Sequence, residues 1–272
     1  AWTRTPRPQR WPATAVALRA MRLLHELSAW PEEALAREAV MALDLAGGRL
    51  PTALADAVAP APTWRQLQGA GVLGPRDGDR WRFGDSELGL SVRRQWPTEL
   101  RARAALRLAV AMADDPEAEP VRLARLWGFA GAHRAAGEAL VRAADQAWAA
   151  GEHDEALEHG ERALRQFSRD PEDGPRAGVA RIWHARRLRQ AGRVEDAVRL
   201  AQAGRAEAER AGWPRVLGEA AWLLADVDRD LREWGPALAK YGVASRAFEA
   251  ADALTEAFDV SMEQARLLRA LG

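Results

Sequence analysis

The chain has no cysteine, a single lysine and no long apolar run, and each shortage closes off a class of explanation. Without cysteine there is no disulfide framework, no thiolate zinc site and no thiol nucleophile, a usage that fits a cytoplasmic setting. No apolar stretch approaches the roughly 20 residues that span a bilayer, and the Pro- and Arg-containing N-terminus is no secretory signal, so no membrane partner is expected. A Walker-type phosphate loop needs Gly-Lys followed by Ser or Thr. The only lysine, Lys240, stands between Ala239 and Tyr241, so this chain carries no such loop. Its 39 basic and 39 acidic residues cancel, which removes any overall electrostatic reason to bind nucleic acid.

Catalytic and metal chemistry are equally thin. The five histidines (His25, His133, His153, His159, His184) form no His-x-x-x-His or Glu-x-x-His pair. His153 and His159 are six apart, a spacing that suits neither one helical face nor a metal site. Gly84-Asp85-Ser86-Glu87-Leu88 looks like a hydrolase nucleophile block, but a serine there needs a histidine base held by an acid. The residue three before His184, the last histidine, is Arg181. The block reads as a loop with a helix N-cap at Asp85 or Ser86. No metal, no cofactor and no enzymatic activity are expected.

What the chain does contain is a repeat. Gly151-Glu152-His153-Asp154-Glu155-Ala156-Leu157, Gly192-Arg193-Val194-Glu195-Asp196-Ala197-Val198 and Arg232-Glu233-Trp234-Gly235-Pro236-Ala237-Leu238 align, with their alanines 41 and then 40 residues apart. A helical pattern precedes and follows each motif. Twelve positions before the alanines stand Ala144, Ala185 and Ala225; the next turn gives Ala147, Leu188 and Asp228, where the third copy departs. A later small position falls on Ala163, Gly204 and Ala244. This pattern resembles the tetratricopeptide repeat, in which small residues let two antiparallel helices nest, although the period exceeds the usual 34. Full repeats are expected over 134–170, 175–211 and 214–251, with Ser168 to Pro175 as a loop. A degenerate copy is expected over 98–149, broken between Pro116 and Pro120, and a partial one over 252–272 with Ala265 and Leu268 as packing residues. Gly272 then holds the turn position of Gly151 and Gly192, so the chain reads as an excised piece of a longer protein.

The N-terminal third reads differently. Residues 1–11 form a linker, and 12–28 and 31–46 two amphipathic helices, the second ended by Gly47-Gly48. Short helices are expected over Leu50–Val58 and Thr63–Ala70. Val72-Leu73 and Arg80-Trp81-Arg82-Phe83 flank Asp77-Gly78-Asp79 as a hairpin, the one good strand signal. Short helices followed by a hairpin are the layout of a winged helix, placed at 12–97, with a helical solenoid at 98–272. The expected class is therefore all-α with one small β element.

The order of parts resembles the segment that follows the nucleotide-binding core in STAND-type signal-transduction ATPases and maltose-regulon-activator-like regulators. There a winged helix ends in a strand, here Arg80-Trp81-Arg82-Phe83-Gly84-Asp85, and leads through a helix (Ser86 to Gln95) into repeats. Gly84-Asp85 replaces the Arg-His common at that point. The resemblance implies a covalently linked nucleotide-binding core upstream and a role in sensing a protein, peptide or small trigger. It also implies that the inner wall of the array, lined by one helix of each repeat, takes the ligand. Those positions are Val141, Asp145 and Trp148, then Ile182, Arg186 and Arg189, then Trp222, Asp226 and Arg229, and finally Met262, Arg266 and Arg269. Arginine forks beside large apolar groups suit a peptide carboxylate with an apolar body. A winged helix can instead read DNA through its third helix, which makes Arg65, Gln66, Arg80 and Arg82 the contacts of a second reading, a DNA-binding transcriptional regulator.

Overall fold

A computed structural model describes residues 33–84, 97–115, 117–170 and 174–271. The expected helix over 12–28 and the one opening at Ser86 lie outside the described residues. By contacts the chain divides into two compact units, residues 1–132 and 133–272. No helix among the described residues is long and apolar enough to cross a membrane.

In the first unit, α1 (Glu33–Leu45) carries an acid in its first turn, where the helix dipole favours it, and Gly47 and Gly48 leave it with positive φ. The helix expected from Leu50 is corrected: Leu50 lies in strand β1 (Arg49–Pro51), and α2 (Thr52–Val58) starts only after the extended Pro51. Proline donates no backbone hydrogen bond, so it ends the short strand and precedes the helix at little cost. Helix α3 (Ala61–Gly69) begins two residues earlier than expected, with Pro62 in its first turn. Strand β2 (Arg80–Arg82) pairs antiparallel with β1, Leu50 opposite Trp81. The expected partner, Val72-Leu73, keeps only the isolated bridge Leu73 to Phe83, with a second at Asp77 to Arg80. Gly74, Pro75 and Gly78 leave too few consecutive residues on that side for a ladder, and Leu50 supplies the apolar neighbour instead. Trp64 and Trp81 stack at 5.8 Å in the core, and Trp64 Nε1 donates to the carbonyls of Ala55 and Ala59, both at 3.0 Å.

Helices α4 (Thr98–Ala113) and α5 (Pro120–Phe129) follow, separated at the expected Pro116 to Pro120 break. Helix α4 lies against α1 and α2. A carboxylate on that interface, Glu38, is buried, which costs several kcal/mol unless it is paired. Arg103 Nε stands 2.9 Å from one oxygen and Arg107 Nε 3.0 Å from the other, the latter an ion pair off the line of a hydrogen bond. Arg107 also donates to the Val58 carbonyl at 3.0 Å, so one clasp fixes α4 on both helices.

The second unit is a run of helix pairs: α6 (His133–Ala149) with α7 (His153–Phe167), α8 (Gly174–Gln190) with α9 (Val194–Ala211), and α10 (Pro214–Asp230) with α11 (Trp234–Ala250), closed by α12 (Leu254–Leu271). Ala156, Ala197 and Ala237 are each the fourth residue of the second helix, and all are buried. Ala144, Ala185 and Ala225 are fully buried on the first helices. Asp226 meets Tyr241 while Asp228 meets Lys240, so ascending numbers face descending ones and the pair is antiparallel. The unit is a tetratricopeptide-like helical repeat. Helices of 15 to 18 residues account for the long period.

The turn position repeats as well: Gly151, Gly192 and Arg232 all have left-handed backbones, with φ of 83°, 80° and 63°. Pro175, expected in a loop, lies in the first turn of α8. Of Ala265 and Leu268, expected to pack, Ala265 is half-buried and Leu268 is 53% exposed; Ala257, Val260 and Leu267 are the buried positions of α12. Helix α12 lies against α11, and among the described residues no helix covers the side that Leu268 faces.

Candidate functional site

Helices α6, α8, α10 and α12 occupy equivalent places in successive repeats, so residues at one register form a continuous wall. The spacing brings side chains of that wall into a chain of contacts. Arg187 of α8 donates to Asp145 of α6 at 2.9 Å, and its guanidinium lies 4.9 Å over the Trp148 ring and 5.4 Å over Trp183. Arg186 reaches the other way, to Glu219 of α10 at 2.7 Å, and stacks 4.9 Å over Trp222. Arg189 joins Asp230 at 2.5 Å and Asp226 at 3.5 Å, both on α10. Arg229 of α10 reaches Glu263 of α12 at 3.3 Å, and Arg266 pairs with the same carboxylate at 2.5 Å. Each of these four helices is thus tied to the next by a charge-assisted contact.

Tyr241 anchors the wall from behind. Its ring is fully buried in α11, its hydroxyl donates to Asp226 at 2.7 Å, and Arg229 donates to that hydroxyl at 3.1 Å. Burial, reinforced by Asp226, pushes the phenol well above its ordinary value, so it stays a neutral donor.

Of the residues expected on the wall, Asp145, Trp148, Arg186, Arg189, Trp222, Asp226, Arg229 and Arg266 are joined in this chain of contacts. Ile182 is a correction: it is fully buried and lies under Gly204 of α9, where a β-carbon would come 2.8 Å from its Cδ1. Arg269 is exposed at the end of α12, outside the contacts. Sequence reading missed Trp183, Arg187, Glu219, Asp230 and Glu263. A signal existed for one of them: Gly137-Glu138-Ala139 recurs as Gly218-Glu219-Ala220, and each glutamate accepts a hydrogen bond from an α8 arginine, Arg176 or Arg186. The remaining acids had to be read as partners of arginines a repeat away, which periodicity of small residues does not reveal.

In the first unit, Arg65 and Gln66 are exposed on α3. Arg80 lies 3.7 Å from Asp79, and Arg82 donates to the Pro75 carbonyl at 3.0 Å. The turn between the bridges carries Asp77 and Asp79, so its charge is mixed. No group of three His, Asp or Glu among the described residues is gathered to hold a metal ion.

No protein-family model matches the chain, and no curated protein matches its sequence. Solved structures give likenesses. It is similar to the apo form of RapI, with a TM-score of 0.46 and 11% identity, over 95% of this chain and 68% of that one. It is similar to aspartyl phosphate phosphatase F from Bacillus subtilis, with a TM-score of 0.42 and 12% identity, over 98% and 77%. A third likeness is to a Signal Transduction ATPase with Numerous Domains (STAND) protein with a tetratricopeptide repeat sensor from Pyrococcus horikoshii, with a TM-score of 0.34 and 9% identity, over 93% and 55%.

Proposed function

We propose that this chain is a binding module rather than an enzyme, and that its helical repeat takes a protein or peptide along the wall of α6, α8, α10 and α12. One observation carries the reading: Trp148, Trp183 and Trp222 alternate along the wall with arginines and acids already set in place by one another. Prepositioned guanidiniums lose little freedom when they trade an intramolecular carboxylate for one on a ligand, and the indoles offer apolar area beside them. A peptide carrying acidic and apolar residues in alternation fits such a surface.

The reading is tested by selecting peptides from a random display library on the intact chain and titrating the winners. Trp222→Ala and Arg186→Ala should each weaken binding at least tenfold, and Arg199→Ala, on the exposed side of α9, should leave it unchanged. Equal binding by all four proteins rules the wall out.

We further propose that the module is the sensing arm of a STAND-like regulator. The order in residues 33–84, helix, strand, two helices, bridge, turn, strand, supports a winged helix with α3 as its third helix. On this reading the winged helix spans 12–97 and the solenoid 98–272, and a linked nucleotide-binding core is switched by ligand on the wall. An intact protein without a Gly-Lys-Ser/Thr loop would remove the regulator and leave the module. DNA contact through Arg65, Gln66, Arg80 and Arg82 is the weaker alternative, because Asp77 and Asp79 stand among those arginines.

A further inference from the structure

The repeats differ at one pair of positions that face each other across the two helices of a repeat. Twelve residues separate Leu188 from Leu200 in the second repeat, and the equivalent positions of the third hold Asp228 and Lys240, the only lysine of the chain. These two form a salt bridge, with Asp228 only 9% exposed. A buried ion pair is a weak stabiliser, and an apolar pair of similar volume does as well or better. The second repeat shows the fold accepting leucines there. Stability therefore gives no reason for the charges.

Beside the pair opens a cavity of about 380 Å³ between α9, α10 and α11, within the roughly 300–1,000 Å³ of small-molecule sites. Leu224 and Leu231 give it an apolar wall. Its charged lining is Asp228 and Lys240 with Arg205 and Glu209, the latter two bonded at 2.8 Å. Two cations and two anions cancel. A ligand with one charge would leave a displaced partner unpaired. A zwitterion replaces each contact by one of the same kind.

We propose that this cavity binds a free apolar α-amino acid, an aromatic one filling it best. Its ammonium group is taken by Asp228, its carboxylate by Lys240, and its side chain lies against Leu224 and Leu231. The site shares no residue with the wall of α6, α8, α10 and α12, so it stands or falls separately from the peptide-binding reading.

Isothermal titration of the intact chain with L-phenylalanine tests this, against 3-phenylpropionate, which lacks the amine, and 2-phenylethylamine, which lacks the carboxylate. Phenylalanine should bind saturably and at least tenfold tighter than either. Ala206→Trp fills the cavity from the exposed side of α9, and Asp228→Leu with Lys240→Leu installs the pair of the second repeat. Each should abolish binding while helicity is kept. Absent binding, equal binding of the singly charged relatives, or undiminished binding in Ala206→Trp overturns the proposal. Ala206→Trp decides alone should the double variant not fold.

Discussion

Gly218 of α10 faces Phe248 of α11 so closely that a β-carbon at 218 would lie 2.9 Å from the ring. The pair recurs two repeats away in register, where Gly137 faces Phe167 at 2.7 Å; in the middle repeat Ala208 holds the ring position and Gly178 faces Val216 at 2.8 Å instead. Phe248 is fully buried, so its ring has nowhere to move. Gly218→Ala would gain about 1 kcal/mol of helix propensity but overpack the interface by roughly 1–3 kcal/mol. The overpacking wins. A net loss of about 1 kcal/mol is expected, read as a lower urea midpoint with unchanged slope.

The turn register makes the opposite prediction at Arg232. Its φ of 63° is the left-handed conformation that glycine adopts at the equivalent Gly151 and Gly192. Arginine there carries roughly 1–2 kcal/mol of Cβ strain, and glycine adds back up to about 1 kcal/mol of unfolded-state entropy. Arg232→Gly should therefore raise stability by up to about 1 kcal/mol. A thermal melt showing a lower midpoint would contradict the register.

The turn glycines Gly151 and Gly192 were legible in the sequence as a period, and so were the nested alanines, because a small residue at a helix crossing has one geometric reason to recur. The wall was legible only by half. Trp148, Arg186, Trp222 and Asp226 followed from register, but what each touches depends on how far one helix is displaced from the next. That displacement left Arg187 between two indoles and turned Ile182 inward. Strand β1 was illegible for another reason: three residues ending in proline carry no alternation, and Leu50 is a strand residue only because Trp81 lies opposite it.

The Glu38 clasp should prove moderate in strength. Removing one partner of a fully buried pair costs about 3–5 kcal/mol. Here Arg103 and Arg107 keep 60% and 46% of their side-chain surface in water, so they can be rehydrated once the carboxylate is gone. Glu38→Ala is expected to lose roughly 1–3 kcal/mol in chemical denaturation, with Glu38→Gln between it and the native chain. An Arg103→Ala, Glu38→Ala double variant should lose less than the sum of its single changes, since the two act through one contact.

Acid should loosen the second unit through His184. This imidazole of α8 is buried against the backbone of Gly160 in α7, and its Nδ1 has no hydrogen-bond partner. Burial holds it below its ordinary value of 6.5; Glu161 raises it in part and Arg193 lowers it further. The folded protein thus prefers the neutral ring more than the unfolded chain does, so the unfolded chain binds the extra proton. The stability that depends on the neutral ring is fully present above 6.5 and is lost as the pH falls through the depressed folded value. The informative quantity is a difference between two proteins. His184→Leu keeps a side chain of similar bulk and removes the proton site. Melting temperatures of the two proteins, measured from pH 8 down to pH 5, should diverge only below about 6.5, with the native chain falling faster. Parallel curves would mean that the ring is solvated or paired in solution, and that its place against Gly160 costs nothing on protonation.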